Sequence, residues 1–369
     1  MGCLFSLFTH GYCAKVDDAK ALSKKIDKEI LLELKNEPDE IEILLLGAPE
    51  SGKSTILKQI RIIYKSDYTL EERLMFKPIV YANALQSMSI ILHSLERLGI
   101  ELDSEQVEYD AYQFYQLLEQ KTCHSHILVE DVKVTPDLAG IMARLWKDAG
   151  VQRAFIQANQ FQLSDCASYF LDNIGRLGEA NYIPSAQDIL HTRVKTCGIV
   201  EVKFLIKDMM FRLHDVGGQR SERRKWLSLF DCVHAVAFCV NLVDYDNVVI
   251  WEEEPSNRML ESLKLFGAIA NSKVFIDAVM ILFLNKTDLF QRKLTRVPLV
   301  TTFPDYNGPN GEFESAAQFI SKKFKGQKKS VPPAYSHLVC ATDTDNMKLV
   351  INAVTDMLIK NFLKDCGIY

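Results

Sequence analysis

The chain has 369 residues, 48% of them hydrophobic and 25% charged, with a formal net charge of −5 at pH 7. That balance suffices for one large core or two medium ones and speaks against a basic nucleic-acid binder, so no nucleic-acid partner is expected. Nine scattered cysteines without a C-x-x-C pair point to a reducing compartment rather than a disulfide framework or zinc site, and no apolar run reaches the roughly 18 residues of a membrane span.

At the start, Met1-Gly2-Cys3-Leu4-Phe5-Ser6 fits M-G-x-x-x-[ST], which makes Gly2 a candidate for myristoylation and Cys3 beside it a candidate for palmitoylation. One acyl chain binds membranes marginally, whereas two anchor stably. Lys15, Lys20, Lys24, Lys25 and Lys28 add attraction to an anionic leaflet, diluted by Asp17, Asp18 and Asp27. Residues 13–35 carry Leu22, Ile26, Ile30, Leu31 and Leu34 near one helical face, so a projecting helix covered by a partner or a membrane is expected.

Residues 41–46 are mostly apolar and read as a buried strand; residues 56–63 read as a helix. Between them, Gly47-Ala48-Pro49-Glu50-Ser51-Gly52-Lys53-Ser54 fits the phosphate-binding pattern G-x-x-x-x-G-K-[ST] in its required strand–loop–helix setting. Glycines let the backbone wrap so that N–H groups face phosphate oxygens, and the helix N-terminus adds partial positive charge. Lys53 would reach the β- and γ-phosphates, and Ser54 would hold Mg²⁺.

From about 67 to 187 the pattern changes to repeated helical periods, over 71–98, 104–120, 135–149 and 165–177, with no convincing strand alternation. Beyond Arg193, strands are expected at 199–205, 209–214, 235–240, 279–284 and 335–339, alternating with helices, which argues for an α/β fold with a mainly parallel sheet. The first two of these are close enough to form an antiparallel edge hairpin. A last helix over 344–364 places Met347, Val350, Ile351, Val354, Leu358 and Phe362 on one face.

Two strand ends carry further chemistry. Asp215-Val216-Gly217-Gly218-Gln219 puts a carboxylate where a Mg²⁺ ligand belongs, a glycine that admits a γ-phosphate, and a glutamine able to orient a water. Asn285-Lys286-Thr287-Asp288 selects the base. The Asp288 carboxylate can accept the two adjacent donors of guanine, a pair that adenine lacks, while Lys286 lies along the base and Asn285 ties the loop to its neighbours.

With these motifs in order, the chain resembles heterotrimeric G-protein α subunits over nearly all of its length. Arg193-Val194-Lys195-Thr196-Cys197-Gly198 is similar to the family's first switch, residues 215–226 to its second, and Val339-Cys340-Ala341-Thr342-Asp343-Thr344 to its guanine loop. The ending Lys364-Asp365-Cys366-Gly367-Ile368-Tyr369 resembles the inhibitory (Gi/o) class. The resemblance implies a Ras-like P-loop GTPase domain over 41–66 and 190–369, an inserted all-helical domain over 67–189, and a lipidated N-terminal helix over 1–40. It implies hydrolysis of GTP to GDP, with Arg193 as an arginine finger in cis and Gln219 positioning water. Thr196 and Ser54 would bind Mg²⁺ directly and Asp215 through water, and Glu50 would pair with Arg193. Thr55, Leu190, Cys340, Ala341 and Thr342 join the nucleotide contacts. The implied partners are a βγ dimer, a seven-helix receptor, an effector and GTPase-accelerating regulators, at the cytoplasmic face of the plasma membrane. Cys366 matches the position that pertussis toxin ADP-ribosylates.

The chain also departs from the family. Pro49 replaces a usual glycine, removes an N–H and biases Ala48 to extended backbone, which is expected to alter hydrolysis and switch closure while nucleotide binding survives. His191, Cys166 and Cys197 replace an arginine, a serine and a threonine, and 123–134 reads as an insertion. A GTP-binding scaffold that scarcely hydrolyses, with Pro49 as cause, is the alternative; a metabolic P-loop kinase leaves the N-K-x-D loop and the acyl sites unexplained.

Overall fold

The structure is a computed structural model that describes residues 40–65, 67–119, 133–196, 198–219, 221–230, 233–249, 256–329 and 332–365. Gly2, Cys3, the helix expected over 13–35, Cys197, Cys366, Tyr369 and most of the 123–134 insertion lie outside the described residues.

A six-stranded sheet organises the fold, in the order β2-β3-β1-β4-β7-β8. Its strands are β1 (Glu40–Gly47), β2 (Ile199–Ile206), β3 (Met209–Val216), β4 (Ala235–Asn241), β7 (Val279–Asn285) and β8 (Tyr335–Val339); β5 (Val248–Val249) and β6 (Ser256–Asn257) pair separately. Only β2 runs antiparallel, forming the expected edge hairpin with β3 through pairs such as Val202 with Leu213. β4 is buried along its whole length, and β7 along all but its first residue. Their unbroken apolar runs follow from this, because a parallel strand covered on both faces has no polar side.

One sheet face is covered by α1 (Lys53–Tyr64) and α12 (Thr344–Asp365). The buried residues of α1 fall at Lys53, Ile56, Leu57, Gln59 and Ile60, the spacing of one helical face. In α12, Met347, Val350, Ile351, Val354 and Leu358 are buried in the same cluster, with Phe362 partly buried beside it. The opposite face packs against α9 (Arg258–Ala270), α10 (Thr287–Leu294) and α11 (Phe313–Lys325) through residues such as Phe266, Phe290 and Phe324.

Between α1 and β2 the described residues are helical: α2 (Leu70–Leu98), α3 (Glu105–Glu119), α4 (Pro136–Lys147), α5 (Ala149–Ile156), α6 (Ala167–Asp172), α7 (Ile174–Leu177) and α8 (Ala186–His191). They share a core of their own, centred on Met88, Phe114, Met142 and Phe170. Thr69 and Glu72 close a reciprocal capping box at the start of α2, and Gly99 at φ 64° ends it. Two helices differ from expectation. The one expected over 135–149 stops at Lys147, because Asp148 turns outward and accepts a bond from the Val151 N–H to cap α5. The one expected over 165–177 is two short helices broken at Asn173. Among the described residues no helix is long and apolar enough to cross a membrane.

Parallel strands place their C-terminal ends on one edge. The segments after β1, β3, β7 and β8 therefore converge there, and residues 192–196, which enter the antiparallel β2, arrive at the same edge.

Candidate functional site

At the end of β1 the chain turns so tightly that a side chain at Gly47 would collide with the Cys239 carbonyl. The Ser51 N–H reaches the Ala48 carbonyl at 3.4 Å, with Pro49 second in the turn and Glu50 third at φ 61°. Proline fits the second position of such a turn, since its fixed φ is the one required there. Gly52, at φ 94°, opens α1 without a side-chain cap, so the first N–H groups of the helix are not taken by a capping side chain. Lys53 donates to the carbonyls of Gly47 at 3.0 Å and Ala48 at 2.8 Å, and burial pushes its ammonium below its ordinary pKa, with Asp215 opposing. A Cβ at Gly218 would stand 2.6 Å from the Gly47 carbonyl and 2.7 Å from Lys53 Nζ, so only glycine lets the β3 loop approach this lysine.

Beside Lys53, Ser54 Oγ lies 2.7 Å from Thr196 Oγ1 and donates to Asp215 Oδ2 at 2.6 Å. The second carboxylate oxygen, Asp215 Oδ1, is buried without a partner. Burial raises this carboxyl above its ordinary pKa, with Lys53 opposing. Two hydroxyls and one carboxylate, one of whose oxygens is orphaned, make a hard-oxygen donor set. It fits Mg²⁺, which takes few protein ligands and completes its shell with water and phosphate oxygens.

Arg193 forms an ion pair with Glu50, and Glu50 also meets Arg258 at 3.4 Å. Arg258 continues to Asp244 at 3.3 Å, whose carboxyl burial pushes up to about 6 against the pull of Arg258. Lys58 reaches up from α1 to the carbonyls of Ile189 and Thr192, both at 2.9 Å, and to Thr192 Oγ1 at 2.7 Å. Burial lowers Lys58 to about 8. On the opposite wall, Trp226 Nε1 donates to the Gly217 carbonyl at 3.0 Å and Arg223 Nε to the Gly218 carbonyl at 3.3 Å, which hold the loop bearing Gln219.

The far end is built on Asn285. Its Nδ2 donates to the Ser51 carbonyl at 2.9 Å, and its Oδ1 accepts from the N–H groups of Lys286 at 2.8 Å and Ala341 at 3.1 Å. One side chain thus ties three loops together. Lys286, at φ 66°, pairs with Asp165. Burial alone would destabilise both charges, yet each partner stabilises the other: Asp165 is held below its ordinary pKa and Lys286 above its own. Asp288 is met by Arg292 at 3.3 Å and by Cys340 Sγ at 3.4 Å.

All of these parts surround one cavity of about 920 Å³. It is lined by Glu50, Ser51, Gly52, Lys53, Ser54 and Thr55 from the first loop, by Leu190, Arg193 and Thr196, by Asp215, Gly218 and Gln219, and by Asn285, Lys286, Asp288, Ala341 and Thr342. Gly47 shapes the loop without lining the cavity, and Cys340 lies behind Asp288 and Thr342. His191 and Cys166 do line it. The His191 ring stacks on Tyr169 with centroids 3.7 Å apart, its Nδ1 lies 2.8 Å from the Gln187 carbonyl, and burial lowers its pKa. Sequence reading missed Arg258, Asp244, Lys58 and Asn83. Of these, only Asp244 had a local signal, an acidic residue just past an apolar strand; Lys58 reaches a partner 131 positions away, Arg258 reaches Glu50 208 positions away, and Asn83 reaches Arg193 110 positions away. A family model described as the G-protein alpha subunit matches residues 20–358, a span that takes in the whole of this cavity. The chain belongs to the G-protein alpha-subunit family, whose members are GTP-binding signalling proteins.

Proposed function

We infer that this chain is a GTP-hydrolysing switch. The observation that carries the reading is the convergence of the phosphate loop, the cation donors, Arg193, Gln219 and Asp288 on one cavity. Asp288 accepts the two guanine donors, and Lys53 with the first N–H groups of α1 holds the phosphates. Ser54 and Thr196 would hold Mg²⁺ directly and Asp215 through water, and the ion would supply positive charge against the phosphate oxygens. Gln219 orients a water for in-line attack on the γ-phosphorus. The bond to the bridging oxygen breaks, leaving GDP and phosphate. Arg193, released from Glu50, stabilises the charge that develops. In GTPases, an arginine in that role, supplied in cis in this family, is worth about 10³–10⁵ in rate, a magnitude already established for such enzymes.

The remaining parts of the reading follow the family. Residues 41–66 and 190–369 form the GTPase domain, 67–189 an inserted helical domain, and 1–40 an acylated helix at the cytoplasmic face of the plasma membrane. A βγ dimer binds the GDP form through that helix and residues 223–226. A seven-helix receptor acts through the end of α12 to release GDP, and GTP frees the chain to meet an effector. The tail supports the inhibitory class. The fit of Pro49 in its turn leaves the scaffold alternative without an observation in its favour.

The test is single-turnover GTP hydrolysis with Mg²⁺, beside Arg193→Cys and Gln219→Leu. Slow phosphate release from the parent, lost in both variants, is expected. Tight GTP binding with release no faster than in the variants would overturn the reading.

A further inference from the structure

Residues 192–196 belong to neither helix nor strand, so Arg193 sits on a linker with no secondary structure of its own to hold it. Both of its backbone polar groups are nevertheless taken, by one side chain. The Arg193 N–H donates to Asn83 Oδ1 at 2.6 Å, and Asn83 Nδ2 donates to the Arg193 carbonyl at 3.1 Å. The pair closes a ring between one side-chain amide and the peptide groups of one residue. It also fixes which way the Asn83 amide faces, since each end meets the opposite partner.

Asn83 itself stands on firm ground. It lies within the 29-residue α2, where Val80, Ala84 and Leu85 are at most 2% exposed. The tether therefore connects the arginine to the core of the helical block, not to another loop. On its N-terminal side the same linker is held by Lys58 through Thr192.

We propose that Asn83 is a positioning residue for hydrolysis, which fixes the backbone of Arg193 so that its guanidinium can reach the transferring phosphoryl group. This rests on the reading of Arg193 as the catalytic arginine. Asn83 touches the arginine's backbone and does not line the cavity, so it acts on the rate and not on nucleotide affinity. The geometry also couples hydrolysis to domain closure. Were the helical block to part from the sheet, Asn83 would go with it and Arg193 would lose its anchor.

The experiment is single-turnover hydrolysis by full-length parent, Asn83→Ala, Arg193→Ala and the double variant. Alanine is the best helix former, so the substitution spares α2. A misplacement of about 1 Å costs on the order of 10²-fold in rate, so Asn83→Ala is expected to hydrolyse GTP at least about tenfold more slowly with GTP affinity changed less than about threefold. In the Arg193→Ala background the same substitution changes nothing further, an outcome that a merely structural role does not produce. An unchanged rate, or a slowing that persists without Arg193, overturns the proposal. A second readout covers the case in which the parent hydrolyses no faster than Arg193→Ala, a result that refutes only the GTPase reading. Tryptic cleavage after Arg193, identified by mass spectrometry on the GDP-bound proteins, is then decisive. Faster cleavage in Asn83→Ala upholds the tether, and equal cleavage overturns it.

Discussion

Asp188 is the point at which α8, and with it the linker to Arg193, is fastened to the helical block, and replacing it with alanine tests that fastening. Its carboxylate is 0% exposed and receives five hydrogen bonds. They come from the Tyr169 hydroxyl at 2.8 Å, Arg176 Nη1 at 2.8 Å and Nη2 at 2.7 Å, the Tyr182 hydroxyl at 3.0 Å and the Ser185 N–H at 2.8 Å. Burial alone would raise this carboxyl, yet the Arg176, Ser185 and Tyr169 bonds hold it well below the ordinary carboxylate range. In Asp188→Ala the arginine, 38% exposed, regains water. The two phenols and the amide do so poorly, because Tyr182 is only 4% exposed. Three under-satisfied donors and a lost buried charge partner together cost about 3–5 kcal/mol. Urea unfolding at saturating GDP, followed by helical signal at unchanged slope, reads the loss. The pH dependence has a definite sign. The folded carboxyl is depressed, so its contribution is fully present above the unfolded pKa of about 4 and fades as pH falls toward the lower folded value. The gap between parent and variant is therefore constant from about pH 7 to 5 and narrows below about 4. A loss under about 1 kcal/mol, or a gap that does not narrow in acid, refutes this account of the cluster.

Two further substitutions address the nucleotide directly. Asp288→Asn turns one carboxylate acceptor into a donor facing the guanine donors, and GTP affinity is expected to fall about 10³-fold or more while xanthosine triphosphate, which offers an acceptor there, gains; competition binding of the two nucleotides checks it, and unchanged preference contradicts the assignment. Pro49→Gly loosens the turn that presents Glu50 to Arg193. We expect about 0.5–1 kcal/mol less stability, GTP affinity within about threefold and an altered single-turnover rate, and identical turnover would free Pro49 of any role in hydrolysis.

How much of this was legible in the sequence depended on whether the cause was local. Gly52 and Lys53 are spaced by the needs of a phosphate, and Asn285 and Asp288 by the needs of a base, so both loops announce themselves within a few residues. The 235–240 and 279–284 strands were visible because a strand covered on both faces leaves an apolar run with little room for ambiguity. The break at Asn173 and the stop at Lys147 were not visible as periodicity. Asp148 ends one helix only because it caps the next and because Asp148 Oδ2 also accepts from the Asp103 N–H at 3.0 Å. The tethers were least legible. Nothing near Asn83 in the chain marks it, since its partner is 110 positions away and the contact exists only once both folding units are formed.

Those distant contacts have a common arrangement. Asp165 reaches Lys286, Gln187 reaches the Thr342 carbonyl at 3.2 Å, and Asn83 holds Arg193, while Lys58 crosses in the other direction to Thr192. The first three join the helical block to the segments after β7, after β8 and before β2, and Lys58 on α1 meets the last of these segments as well. Singly, a half-exposed bond such as Gln187 to Thr342 contributes on the order of 1 kcal/mol. They are not independent, however, because all four close around one cavity between two separately packed cores. If the two cores part as rigid bodies, these contacts break together, and their costs add into one barrier. The same event parts Asp165 from Lys286 and Asn83 from Arg193. On the proposed reading, nucleotide retention and catalytic readiness would then be two readings of a single closed state.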